Sequence, residues 1–183
     1  MRLFVALPIP SAIADELQQW LEYSRPTDAF RKWTHPRDYH LTLQFLGDTE
    51  PGQLEQLQAA LSGVDHSQAA PIRLTLNGGG TFGRSEAPRV LFARVSGELE
   101  RLHLLQSAIV HATGPLGFIP EERPYSPHVT LARRYNEPSR AAAGPLLEAI
   151  PSGLVWEADR FVLMATHMNS VPMYETVGEY PIV

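Results

Sequence analysis

The 183-residue chain contains no cysteine. That excludes disulfides, thiolate nucleophiles and cysteine-based zinc centres, and it fits a cytoplasmic protein. Long hydrophobic runs are missing too: no apolar stretch approaches the ~20 residues that span a bilayer. The apolar start, Met1-Arg2-Leu3-Phe4-Val5-Ala6-Leu7-Pro8, is interrupted by Pro8 and Pro10 and followed by Asp15-Glu16. We therefore read it as a strand with no targeting signal. Basic charge is in deficit, with 15 Lys and Arg against 20 Asp and Glu and a formal net charge of −5. Such a balance argues against coating a nucleic-acid backbone, which needs a dense basic face, but it permits a few local cations to recognise one phosphate or one strand end. Hydrophobic content of 44% and charged content of 19% describe an ordinary globular chain whose length suits a single domain or two lobes sharing an interface.

What the chain does contain is a tetrapeptide that occurs twice, as His40-Leu41-Thr42-Leu43 and as His128-Val129-Thr130-Leu131. Alternating polar and aliphatic residues predict a strand in each case, with His and Thr on one face. The two histidines are 88 residues apart, and the same shift brings Leu3-Phe4 onto Leu91-Phe92, Pro36 onto Pro124, and Ile72 to Leu76 onto Arg160 to Met164. Two repeats, about 1–88 and 89–183, each read as strand, helix, His/Thr strand, helix, strand. With only two copies at so long a period, a duplicated lobe is expected rather than a solenoid.

In more detail, strands are expected at 2–7, 39–46, 72–77, 90–95, 127–132, 155–166 and 173–180. Helices are expected from Ser11 to Tyr23, through Leu54, Leu57 and Leu61, from Gly97 to Thr113, and from Ser139 to Ile150. Pro26 to Arg37 is read as a loop, and Gly78-Gly79-Gly80 as a flexible turn in a loop running to Pro88, since no Gly-Lys-Ser/Thr comes after it to make a phosphate loop. The class is α+β with a mostly antiparallel sheet.

Two imidazoles and two hydroxyls on matched strands suit acid–base displacement at phosphorus. Imidazole titrates near neutrality, so one copy can accept a proton while the other donates one. Thr42 and Thr130 can donate to non-bridging phosphate oxygens. The competing readings are a half-exposed polar strand face, which duplication in register disfavours, and a zinc or copper site, for which a third ligand is not evident. His35, His66, His103, His111 and His167 find no partner under the shift and are read as surface or core histidines. Trp33 and Tyr125 lead into the two motifs and are read as core or rim aromatics before base-stacking platforms.

The stretch His40-Leu41-Thr42-Leu43-Gln44-Phe45-Leu46-Gly47, with Pro127-His128-Val129-Thr130-Leu131-Ala132-Arg133, resembles the 2H phosphoesterase superfamily. More narrowly it is similar to the bacterial and archaeal RNA 2′,3′-cyclic phosphodiesterases, formerly called 2′-5′ RNA ligases. Arg2 to Ala6, Trp33 and the Tyr174 region extend the likeness over essentially the whole chain. The resemblance implies a bilobal fold with two mostly antiparallel sheets, pseudo-twofold symmetry and a central cleft. It implies hydrolysis of an RNA-terminal 2′,3′-cyclic phosphate to a 2′-phosphomonoester without metal or cofactor, with His40 as proton donor and His128 as proton acceptor. Reverse 2′-5′ RNA ligation through the same intermediate is expected to be secondary to hydrolysis. Alternatives are a small nucleotide or ADP-ribose cyclic phosphate as substrate, and a non-catalytic nucleotide- or RNA-binding module. The expected partners are RNA ends or small nucleotides carrying a cyclic phosphate, with no membrane, and the chain is expected to act as a monomer. Arg133 matches a basic position of related enzymes and suits a grip on phosphate. Strict alternation nevertheless puts it on the face opposite His128, unless a bulge after Leu131 re-aims it, and its counterpart Phe45 is expected to pack in a core.

Overall fold

The computed structural model describes residues 1–24, 29–64, 71–136 and 147–182. Among these residues nine strands, β1 (Arg2–Pro8), β2 (Phe30–Trp33), β3 (His40–Asp48), β4 (Ile72–Arg84), β5 (Ala87–Gly97), β6 (His128–Tyr135), β7 (Ser152–Ala158), β8 (Arg160–Thr166) and β9 (Tyr174–Pro181), form one antiparallel sheet, eight of them in the order β7-β4-β5-β6-β3-β1-β8-β9 and β2 paired with β6 off that path. Three helices, α1 (Ser11–Ser24), α2 (Leu54–Ser62) and α3 (Leu99–Thr113), complete the α+β architecture among the described residues. The two expected sheets are thus two wings of one sheet. They meet at β3 and β6 through a single bridge, Leu41 opposite Val129. Beyond it the strands part, and β2 takes a place on β6, with Trp33 opposite Ala132 and the Thr34 N–H donating to the Leu131 carbonyl at 2.9 Å.

The sheet order exchanges strands between the two halves of the sequence. β1 from the first half pairs with β8 from the second, while β5 from the second pairs with β4 from the first. Each wing therefore needs both halves of the chain. Ile13, Leu17 and Trp20 of α1, Leu57 and Leu61 of α2, and Leu102, Leu105 and Ile109 of α3 bury the helices in one apolar core with Leu3, Val5, Leu41 and Val129. Those strand residues alternate with His40, Thr42, His128 and Thr130, which therefore lie on the opposite face of the sheet. A separate small cluster, Phe4, Ala6, Val162 and Met164, backs it on the β1–β8 wing.

Three local expectations are corrected. The Pro26–Arg37 segment contains a strand, β2, because Phe30 and Trp33 turn inward while Arg31 and Lys32 stay exposed along the free edge of β6. The span 155–166 is two strands, β7 and β8, divided at Asp159. The triple glycine is not a flexible turn but lies inside β4, where Gly79 faces Ala93 and Gly80 faces Phe92 across the β4–β5 ladder. Most of the helix read at 139–150, and His66, fall outside the described residues; 147–149 are helical. Among the described residues, no helix is long and apolar enough to cross a membrane.

Candidate active site

The register at the central bridge brings the two motifs together. With Leu41 opposite Val129, His40 lies level with Thr130, and Thr42 lies level with His128. Both imidazoles are held the same way. His40 Nδ1 is 2.7 Å from the Asp38 carbonyl and His128 Nδ1 is 2.8 Å from the Ser126 carbonyl, in each case two residues upstream. A carbonyl only accepts, so Nδ1 carries the proton in both rings and each Nε2 is left as the nitrogen with the lone pair. His40 Nε2 also lies 3.1 Å from the Thr42 hydroxyl.

Each ring has an aromatic surround. Phe4 lies 4.7 Å from His40, and Tyr174 stands edge-on to it at 5.1 Å. Phe82 stands edge-on to His128 at 4.8 Å, with Phe92 at 5.3 Å. Phe4 and Phe92 are themselves 88 residues apart. The alignment of Leu3-Phe4 with Leu91-Phe92 is therefore a signal for two site residues that sequence reasoning leaves as strand filler. Burial pushes His40 down to about 4; the Asp38 carbonyl and carboxylate oppose that shift, while Arg133 and His128 add to it. Burial also lowers His128, reinforced by Arg133 and opposed by the Ser126 carbonyl and Glu121.

Arg133 reaches this face because strand alternation breaks at the same place in both motifs. Ala6 faces Thr42 but Val5 faces Gln44, which leaves Leu43 as an extra residue in β3. Phe92 faces Thr130 but Leu91 faces Ala132, which leaves Leu131 as the extra residue in β6. The two bulges are 88 residues apart. Each buries two consecutive residues, Leu43-Gln44 and Leu131-Ala132, and so inverts the parity of the residues beyond it. Arg133 and Phe45 thereby turn to the His/Thr face. The guanidinium charge is felt by His40, His128 and Tyr174 alike. Phe45 is not a core residue: it is 54% exposed, with its ring 6.1 Å from Phe4.

The remaining expected candidates bond elsewhere. Trp33 packs edge-on against Trp20 and Phe30, as a core aromatic. Tyr125 donates its hydroxyl to the Thr42 carbonyl at 2.8 Å, tying the loop before β6 to β3. His103 stands edge-on to Tyr125, His167 pairs with Glu175 at 2.7 Å, the His35 ring accepts from the Arg37 N–H, and His111 is exposed in the last turn of α3.

The glycines of β4 complete the His128 side. A Cβ on Gly80 would stand 2.6 Å from the Phe92 ring, and Arg94 Nε donates to the Gly79 carbonyl at 2.7 Å. Gly80→Ala is expected to displace Phe92 from His128 and to lower kcat on the order of tenfold, at a stability cost of ~1–3 kcal/mol typical of overpacking. Steady-state kinetics beside a thermal melt check this; wild-type kcat would show that Phe92 has no part in holding the ring.

The chain matches the LigT-like phosphoesterase family over residues 7–92. It is 32% identical to the RNA 2′,3′-cyclic phosphodiesterase of Bacillus subtilis over 98% of this chain and 95% of that one. It is 33% identical to the protein of the same name from Geobacillus stearothermophilus over 98% of this chain, and spans 57% of that longer protein. Among solved structures, a Thermus thermophilus protein superposes with TM-score 0.76 at 30% identity, covering 100% of this chain and 98% of that one. Escherichia coli LigT in complex with 3′-AMP superposes with TM-score 0.81 at 24% identity over 100% and 98% of the two chains, a likeness of fold. With its paired His-x-Thr-x strands, its winged sheet and these relatives, the chain belongs to the LigT-like phosphoesterase family of the 2H superfamily.

Proposed function

We propose that this protein hydrolyses RNA-terminal 2′,3′-cyclic phosphate to a 2′-phosphomonoester without a metal, His128 acting as proton acceptor and His40 as proton donor. The observation that carries the reading is the matched tautomer of the two rings, each with Nδ1–H tied to a carbonyl two residues upstream, which leaves Nε2 as the basic nitrogen of each. The names of the curated relatives supply the substrate class. The donor and acceptor labels come from the family resemblance, because the geometry is nearly symmetric.

With the cyclic phosphate between the wings, His128 Nε2 takes a proton from water as its oxygen bonds to phosphorus. The P–O3′ bond breaks on the opposite side, and protonated His40 delivers its Nε2 proton to the departing O3′. Atoms balance: one water is consumed, a 2′-phosphomonoester and a free 3′-hydroxyl result, and the net proton moves from His40 to His128. Thr42, Thr130 and Arg133 donate to the non-bridging oxygens, where charge is held in the transition state. We read residues 1–183 as a single catalytic domain made by duplication of about 1–88 and 89–183, since each wing contains strands from both halves.

The pH dependence has a definite sign. His40 must be protonated to act as the acid, yet in the free protein it titrates at about 4, and His128 lies below its ordinary value. The profile of kcat/KM is therefore expected to peak on the acid side of neutrality and to fall as pH rises. A bound phosphate anion favours protonated His40 and offsets Arg133, so the alkaline limb of kcat is expected at higher pH than that of kcat/KM. Coincident limbs would contradict this.

The function itself is tested with an oligonucleotide ending in 2′,3′-cyclic phosphate, assayed in excess chelator with the product identified by phosphorus NMR. A 2′-monoester is expected. A 3′-monoester overturns the regiochemistry, loss of turnover in chelator overturns the metal-independent scheme, and turnover confined to a cyclic mononucleotide moves the substrate to small nucleotides.

A further inference from the structure

Asp38 does two jobs that the His-x-Thr-x motif does not call for. It closes the short 3-10 turn Pro36–Asp38 before β3 and is only 6% exposed. Both carboxylate oxygens accept the Met173 N–H, at 3.0 and 2.9 Å, and Oδ1 also accepts the Tyr174 N–H at 3.1 Å. Its own carbonyl is the acceptor for His40 Nδ1–H. A buried carboxylate is costly unless its lone pairs are satisfied. Here the satisfying groups are backbone N–H donors at the start of β9, from the opposite half of the sequence. One residue therefore grips His40 through its main chain and the base of Tyr174 through its side chain, and the Tyr174 ring stands edge-on to His40 and to Phe4, at 5.1 and 4.9 Å.

We propose that Asp38 is a positioning residue that locks His40 and Tyr174 into one unit, so that the donor histidine and its aromatic wall keep a fixed relation across the two halves of the chain. The proposal rests on the reading of His40 as proton donor. The charged and titratable groups around His40 are the Asp38 carboxylate, which favours the protonated ring, Arg133 and His128, which disfavour it, and the Tyr174 phenol.

Two substitutions separate the lock from the charge. Asp38→Asn removes the charge and keeps one acceptor for the β9 amides; Asp38→Ala removes both. NMR titration of the His40 ring in the full chain is expected to show a lower pKa in both variants, and the pH profile of kcat/KM is expected to move to lower pH in both. Only Asp38→Ala is expected to lose kcat at its own pH optimum, on the order of 10²-fold, as for a displaced catalytic group, with Asp38→Asn recovering most of it and KM changing less than kcat. The idea is overturned if both variants keep the wild-type His40 titration and kcat, or if both lose kcat equally with the titration unchanged, which marks a merely structural acceptor. The ring titration does not depend on turnover, so a wild-type protein inactive on cyclic phosphate would refute the proposed function while leaving Asp38 separately judged.

Discussion

Replacing either His40 or His128 with alanine is expected to lower kcat by ~10²–10⁴-fold, the range of a positioned general acid or base. In the proposed mechanism acid and base act in one concerted displacement, so the double variant is expected to be little worse than the poorer single one. Folding is not at stake, because both rings face the cleft while the alternating Leu41 and Val129 carry the core. Removing His40 is expected to make the fold less acid-sensitive. Its pKa in the folded protein is about 4, below the ordinary 6.5, so the unfolded chain binds more protons between those values. Stability contributed by the neutral ring is present above 6.5 and is lost as pH falls through about 4. Thermal melts of wild type and His40→Ala between these limits read the effect; near-wild-type turnover in either alanine variant would remove that histidine from the mechanism.

The second large effect is expected at Arg133. Loss of a donor aimed at developing charge costs ~10²–10³-fold in kcat, and Arg133→Gln is expected to fall in that range. A second signature distinguishes this from a general loss of binding. Arg133 lowers both histidines, so its removal should raise both and shift both limbs of the pH profile upward. Arg133→Lys restores charge without the bidentate fork and is expected to recover the limb positions better than the rate. Unmoved limbs in Arg133→Gln would place the guanidinium away from the phosphate.

Most of this site was legible from one repeated tetrapeptide, because alternation along a strand and register between repeats are both readable from residue spacing. The limits came where alternation failed. Parity alone puts Arg133 opposite His128 and Phe45 in a core, and the bulges at Leu43 and Leu131 break it at both places; the Leu131 bulge is the one that the phosphate reading of Arg133 requires. A bulge leaves no mark in hydropathy when the extra residue is itself apolar, though the doubled runs Leu43-Gln44 and Leu131-Ala132 occupy equivalent places. β2 was hidden because four residues with polar Arg31-Lys32 at their centre acquire a strand only by pairing with β6. The triple glycine read as a turn from local propensity, whereas it stays in β4 because the Phe92 ring occupies the space of a side chain at Gly80. The exchange of β4 and β8 between wings was beyond any repeat argument, since similarity of two halves says nothing about which half each strand pairs with. Asp38 carries no sequence signal for a related reason: its partners, Met173 and Tyr174, are 135 and 136 residues away.

The proposed mechanism turns on two histidines with different duties at one phosphate, and a substrate whose leaving O3′ is replaced by sulfur addresses that directly. A thiolate departs without help from an acid, so the sulfur substrate should restore much of the rate lost in His40→Ala while leaving His128→Ala impaired. Rescue of neither variant, or of His128→Ala alone, would contradict the assignment of His40 as donor and His128 as acceptor.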